Sequence, residues 1–167
     1  TGNTGVWAPI SGDPELDHVY LPIESATGDR FGGDRPGDNL FSDSIVALNI
    51  KTGERQWHYQ LTHHDIWDWD IPAAPVISDL PNGEKVLMSV TKQSWIYTFD
   101  RATGEPIWPI EERPVPAGDV PGEWYSATQP FPTNPLPFDR QGFTEDDLVD
   151  WTSEIRALAL EATEGFR

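Results

Sequence analysis

Ala47-Leu48-Asn49-Ile50-Lys51-Thr52-Gly53-Glu54-Arg55-Gln56-Trp57 returns as Thr98-Phe99-Asp100-Arg101-Ala102-Thr103-Gly104-Glu105-Pro106-Ile107-Trp108. The two stretches align without a gap at an offset of 51 residues, and Asn49/Asp100, Thr52/Thr103, Gly53/Gly104, Glu54/Glu105 and Trp57/Trp108 coincide. A repeat of this period marks a solenoid or propeller, whose unit cannot bury its apolar face alone. Each copy opens on an apolar, β-rich run, Ser44–Leu48 or Trp95–Phe99. An Asx residue and Thr-Gly follow, the chemistry of a tight turn: the Asx side chain accepts from its own backbone and Gly takes positive φ. Each copy therefore reads as strand, hairpin turn, strand. The recurring Trp is expected to pack between neighbouring sheets.

Further strands are expected at Asp17–Ile23, at Val76–Leu80 closed by a Pro81-Asn82-Gly83 turn, and at Lys85–Val90. The fold class is therefore all-β: a partial β-propeller of two to three four-stranded antiparallel blades. The blades occupy residues 1–108 and a Pro-rich connector occupies 109–143, read as an ordered loop because its aromatics need burial; a flexible linker is the other reading. Short helices fill 144–167: Thr144-Glu145-Asp146-Asp147 reads as a helix start, Leu148–Trp151 as one short helix, and Ser153–Ala162 as a second capped by Thr152 or Ser153.

Composition narrows the function. With 11 Lys+Arg against 28 Asp+Glu, the net charge of −17 argues against a nucleic-acid surface, which must be basic. No stretch is apolar enough to span a membrane. Absence of cysteine removes disulfides, thiolate metal ligands, a cysteine nucleophile and a covalently attached haem c from this stretch. The chain does not begin with Met, and processing or truncation is expected.

Between the two copies lies His63-His64-Asp65-Ile66-Trp67-Asp68-Trp69-Asp70. The three carboxylates and two imidazoles suit a metal site or general bases; they equally suit a polar loop capped by Trp67 and Trp69. In a strand, Asp68 and Asp70 would share a face. Asp65 by itself reads as a turn or cap acceptor.

This cluster, with Ala74-Pro75 and Thr91-Lys92-Gln93, resembles the quinoprotein alcohol and sugar dehydrogenases, which use pyrroloquinoline quinone (PQQ). Trp7-Ala8-Pro9, Thr27-Gly28-Asp29, Gly32–Asn39, Gly122-Glu123-Trp124 and Thr128-Gln129-Pro130-Phe131 match the family too, and the repeat resembles the tryptophan-docking motif of its eight-bladed propellers. The resemblance runs through the whole chain and is stronger to the membrane-type glucose/polyol branch than to the methanol branch. It implies that Asp68 is the catalytic base, that Lys92 bonds the quinone oxygens, and that Trp7 is the floor on which the flat cofactor stacks. Thr27, with Asp29 close by, falls beside the cofactor and its metal. Methanol-type relatives carry Asn where Thr27 stands, as the glucose-type branch does not. Asp70 occupies the position of the extra carboxylate of lanthanide-dependent relatives. Metal contacts are thus expected from Asp68, with Asp70 and Thr27, to Ca²⁺ or Mg²⁺ in preference to a lanthanide.

Partners implied by the resemblance are a sugar, polyol or alcohol substrate, a ubiquinone or cytochrome electron acceptor, and the remaining blades of the propeller, in the periplasm. The chain reads as a C-terminal-side fragment, with weak cofactor affinity and no turnover when isolated. The rival reading is a non-catalytic propeller scaffold that binds proteins; a degenerate paralogue that keeps the site without activity is a third.

Overall fold

The computed structural model describes residues 3–165. Four strands form the first sheet in the order β1 (Ser11–Asp13), β2 (His18–Pro22), β3 (Ser44–Asn49), β4 (Arg55–Gln60), all antiparallel. A second sheet holds β5 (Val76–Asp79), β6 (Lys85–Val90) and β7 (Ile96–Asp100), again as an antiparallel meander. These are consecutive blades of a partial propeller. The first blade is complete at four strands, as the repeat leads one to expect; β1 carries no sequence signal, being three residues long.

Both repeat turns have the same geometry. The Asn49 carboxamide accepts from Lys51 N (2.9 Å) and Thr52 N (3.1 Å), and the Asp100 carboxylate accepts from Ala102 N and Thr103 N (both 2.9 Å). Gly53 and Gly104, at φ 75° and 76°, close the turns by donating to Asn49 O and Asp100 O, each at 2.8 Å. Asx capping of the turn amides, with Gly at positive φ, is what makes the motif recur.

After the second turn the copies diverge. β4 pairs along β3 with a bulge between Ala47 and Leu48, whereas the second copy retains only a single bridge between Phe99 and Pro106. The expected strand through Trp108 does not form. Pro106, at the position of Arg55, has no N–H to donate to a ladder, and Pro109 follows. Trp57 is 7% exposed, but Trp108 is 37% exposed, with no further blade beside it among the described residues.

The core lies between the two blades, where Tyr20, Ile45 and Trp57 of the first meet Leu87, Tyr97 and Phe99 of the second. Trp57 lies against Gly104, whose missing Cβ would stand 2.5 Å from the indole. Its Nε1 donates to Arg101 O at 3.1 Å, an oxygen that also accepts from Tyr20 Oη at 2.8 Å. The indole of one blade thus docks on the turn of the next, as the repeat implies.

Residues 109–143 are more ordered than a loop. β8 (Ile110–Pro114) and β9 (Thr128–Pro132) pair as a two-stranded antiparallel ribbon. Prolines are tolerated because both strands of an isolated ribbon are edges. The ribbon packs on the second blade through Trp95 and Phe131, whose rings meet edge to face at 5.9 Å. Leu148–Trp151 does not form the expected helix. A 3-10 turn, Glu145–Asp147, comes before it, and the Asp147 carboxylate accepts from Thr144 N at 2.7 Å. Leu148 is then extended, so the turn stops there. Helix α1 runs Ser153–Thr163, with Thr152 as its cap, accepting from Ile155 N at 3.2 Å. Among the described residues no helix is long and apolar enough to cross a membrane.

Replacement of Trp57 by Ala is expected to lower the unfolding free energy by about 3–5 kcal/mol, the usual range for deleting a large buried aromatic. Gly104→Ala is expected to be destabilising as well, because the new methyl meets the indole in a left-handed backbone. Urea unfolding of both variants checks this; a Gly104→Ala protein as stable as its parent would show that the docking contact does not hold the blades.

Candidate active site

The segment from Leu61 to Pro75 leaves β4 and leads into β5. It contains no strand, so the shared face that a strand would give Asp68 and Asp70 does not arise; a buried carboxylate shapes the segment instead. Asp65 is fully buried and accepts from Trp67 N (3.0 Å) and Trp69 N (2.7 Å), one amide on each oxygen. Burial pushes its pKa up, and the two amides pull back against that. This is the turn acceptor that the residue type suggests. The two indoles that it tethers stack at 4.5 Å and 22°. Asp68, between them, stands in the left-handed region at φ 62°.

Lys92, on the turn between β6 and β7, draws the acidic pair together. Its Nζ donates to Asp68 O at 2.7 Å and Asp70 Oδ2 at 3.1 Å, and lies 3.5 Å from Asp68 Oδ1. Burial lowers the pKa of the ammonium, but the Asp70 and Asp68 carboxylates more than offset this and hold it above the ordinary value. The second oxygen of Asp70 accepts from Ser25 N at 2.8 Å, which pins it to the segment leading to Thr27. Asp68 and Lys92 keep about a third of their side chains open, at 37% and 33%. A cleft of about 480 Å³ adjoins Lys92, lined also by Trp67, Trp69, Trp95, Phe131 and Arg140. That size is within the range of small-ligand sites.

The remaining predicted residues sit around this centre without joining it. Trp7 is exposed, at 57%, on the segment that runs beside Glu24 through a Glu24 N to Gly5 O bond of 3.0 Å. Thr27 Oγ1 donates to Asn3 O at 2.9 Å, and Asp29 is exposed on the same turn. The two histidines face elsewhere. His63 is held by Gln60 and Glu112, each at 3.0 Å, and its backbone is clamped by the Gln129 carboxamide of β9 at 2.8 and 2.7 Å. His64 is buried against Gly37 O at 2.8 Å and Glu123 Oε1 at 3.2 Å.

Two residues of this region were not assigned from sequence. Arg35 is buried, and its Nη2 donates to Gly28 O (2.9 Å) and Asp65 O (2.6 Å), linking the Thr27–Asp29 turn to the Asp68 loop. It lies within the Gly32–Asn39 stretch, but nothing in that stretch marks it as a strut. Asp43 is fully buried and neither of its oxygens has a hydrogen-bond partner. Burial first, and then the Asp65 charge, push its pKa from 3.8 to about 9. In sequence, Ser42-Asp43-Ser44 looks like any polar turn.

The donor set tests what such a site could hold. An ammonium that lines an open cleft suits a quinone carbonyl, and an open indole suits a flat ring. For a metal ion the Asp68 and Asp70 carboxylates are the candidate donors; among the described residues no three His, Cys, Asp or Glu side chains converge. Oxygens from elsewhere would have to complete a coordination shell of six to eight.

The family described as "Glucose/ethanol/alcohol dehydrogenase, beta-propeller domain" matches residues 1–167, the whole chain. The chain belongs to the PQQ-dependent quinoprotein dehydrogenases. It is 44% identical over 129 residues to the quinoprotein glucose dehydrogenase of Escherichia coli (strain K12), covering 75% of this chain and 16% of that relative. Among solved structures, the quinohemoprotein alcohol dehydrogenase from Comamonas testosteroni superposes with a TM-score of 0.60 at 27% identity, over 78% of this chain and 20% of the other. A europium-containing methanol dehydrogenase gives a TM-score of 0.57 at 28% identity, over 65% of this chain and 20% of the other. The chain thus spans about a fifth or less of the length of these quinoproteins.

Asp43 generates a prediction with a definite sign. Below the ordinary carboxyl pKa both folded and unfolded chains hold the proton. Between pH 3.8 and about 9 the unfolded chain releases it and the folded chain does not, so this group costs stability progressively as pH rises. Asp43→Asn keeps the size and removes the titration. Its stability relative to the parent is expected to rise from pH 5 to pH 9 in urea titrations; a constant difference across that range would show that Asp43 is ionised in the folded protein.

Proposed function

We propose that this chain is the base-carrying part of a PQQ-dependent dehydrogenase that oxidises an aldose, polyol or alcohol, with Asp68 as the general base. The observation that carries the reading is the convergence of Asp68 and Asp70 on the Lys92 ammonium beside an open cleft. PQQ, when bound, supplies the two-electron acceptor for the hydride from the carbinol carbon. Lys92 and Trp7 are the residues that would hold it, one by a charged hydrogen bond and the other by its exposed face, with Thr27 and Asp29 on the neighbouring turn.

Asp68 takes the substrate hydroxyl proton on a carboxylate oxygen as the C–H bond breaks, and the alcohol carbon becomes a carbonyl. Lys92 supports this in two ways. Its hydrogen bond to Asp68 O fixes the backbone at the left-handed residue, and its charge sits where negative charge would develop. Stacked Trp67 and Trp69 wall one side of the cleft. Asp68 and Asp70 would contribute carboxylates to a Ca²⁺ or Mg²⁺ ion, completed by oxygens outside this stretch. Asp70 would supply a trivalent lanthanide with one more anionic oxygen, the less favoured choice of metal. The proposed setting is the periplasm, with ubiquinone or a cytochrome as electron acceptor.

Asp68→Asn in the intact protein is expected to lower kcat by roughly 10²–10⁴-fold while PQQ still binds, the loss typical for removing a general base. PQQ titration and dye-linked turnover over a panel of aldoses, polyols and alcohols check this. Failure of the parent protein to bind PQQ would favour the non-catalytic scaffold reading.

A further inference from the structure

Gly122-Glu123-Trp124 and Gly32–Asn39 match the family's sequence pattern but have no part in the mechanism above. In the fold they meet at one buried point. Glu123 Oε2 accepts from Gly32 N at 2.7 Å, and Oε1 accepts from Trp124 N at 2.8 Å and faces His64 Nε2 at 3.2 Å. The other ring nitrogen of His64, Nδ1, faces Gly37 O at 2.8 Å. A carbonyl oxygen only accepts, so Nδ1 carries hydrogen. Burial raises the Glu123 pKa, but the Gly32 and Trp124 amides and His64 outweigh that and hold the carboxyl below its ordinary value. The His64 imidazole and the Glu123 carboxylate thus face each other where their side chains are 0% and 2% exposed.

The space for this pair is made by Gly32. A Cβ there would lie 2.3 Å from His64 Nε2 and 3.2 Å from the Arg35 guanidinium carbon. Trp124 closes the other side, its ring 4.6 Å from the imidazole. His64 is itself held by its backbone, with N donating to Asp38 O at 3.1 Å and φ at 46°. The next residue is Asp65, whose two oxygens hold the amides on either side of Asp68. A chain of contacts thus runs from the connector through Glu123, His64 and Asp65 to the amides that flank Asp68.

We infer that His64 and Glu123 form a buried hydrogen-bonded pair that positions Asp68, making both of them positioning residues for proton abstraction. The inference rests on the reading of Asp68 as the base. The pair touches neither the cleft nor Lys92, so it acts through the shape of the Asp68 loop and not on cofactor or substrate. Glu123→Gln removes the charge at nearly constant size and presents an amide N–H to one of the donors now satisfied.

The test is a double-mutant cycle in the holoenzyme. Glu123→Gln is expected to lower kcat by about 10–100-fold, the scale of a base displaced by an ångström or less, with KM and the PQQ Kd within about twofold of the parent. In an Asp68→Asn background the same substitution is expected to leave the residual rate unchanged, because the base it positions is gone. An equal further fall in that background overturns the inference, as does full turnover by folded Glu123→Gln. A loss of PQQ binding in step with kcat overturns it too, since that is what general loosening would give. Should Glu123→Gln not fold, His64→Gln, which leaves Glu123 its two backbone donors, is read in the same way. Full turnover in Asp68→Asn would instead remove the base reading on which the pair depends, whereas an inactive Asp68→Asn beside a fully active Glu123→Gln removes the positioning pair alone.

Discussion

The Trp57 indole is fixed between two sheets by three constraints at once: the flat face of Gly104, the Arg101 carbonyl, and the rings of Tyr20 and Phe99 at 5.8 and 6.0 Å. The rest of the chain depends on this contact, because neither blade buries its inner face alone. The carbonyl that receives the indole N–H also receives the Tyr20 hydroxyl, so two aromatic donors of one blade share one acceptor of the next. The Arg101 side chain reaches back to Asp13 (2.9 Å), Glu15 (2.6 Å) and Asp79 (2.8 Å), tying β1 and its following turn to β5. Apolar docking inside and an ion-pair cluster at its edge set how the two blades face each other.

That orientation determines where the segment between the blades can go. It leaves one sheet and enters the other, so its ends are fixed by docking and its middle by buried polar groups. Asp65, His64 and Arg35 bond backbone that lies across loops and not along strands. Such an arrangement places side chains at backbone angles a regular element would not allow, His64 and Asp68 among them. Asp43 is the exception among these groups. It is buried without partners, and the protein carries it as a neutral acid near Asp65 and Asp70.

The Pro-rich connector has a structural task in this scheme. Its ribbon packs on the second blade, Gln129 clamps the His63 backbone, and Glu123 reaches His64. All three contacts fall on or beside the segment that carries Asp68. The stretch read from sequence as an ordered loop thus braces the segment that carries Asp68.

Sequence alone determined the local and periodic parts. The paired Asx-x-x-Thr-Gly turns, the strands around them and the docked Trp follow from side chains acting on their own backbone and from a repeat that cannot stand singly. Asp65 as a turn acceptor was legible for the same reason, and Asp68, Asp70 and Lys92 stood out through the family pattern. What the tertiary structure alone decided is long-range. Sequence did not show that the second copy loses its last strand, that two proline-bearing segments pair as a ribbon, that Lys92 brings Asp68 and Asp70 together, or that Glu123 and His64 meet. Each of these turns on which groups lie within hydrogen-bond reach once the blades are docked. Residues 59 positions apart, such as His64 and Glu123, leave no periodic trace of such a meeting.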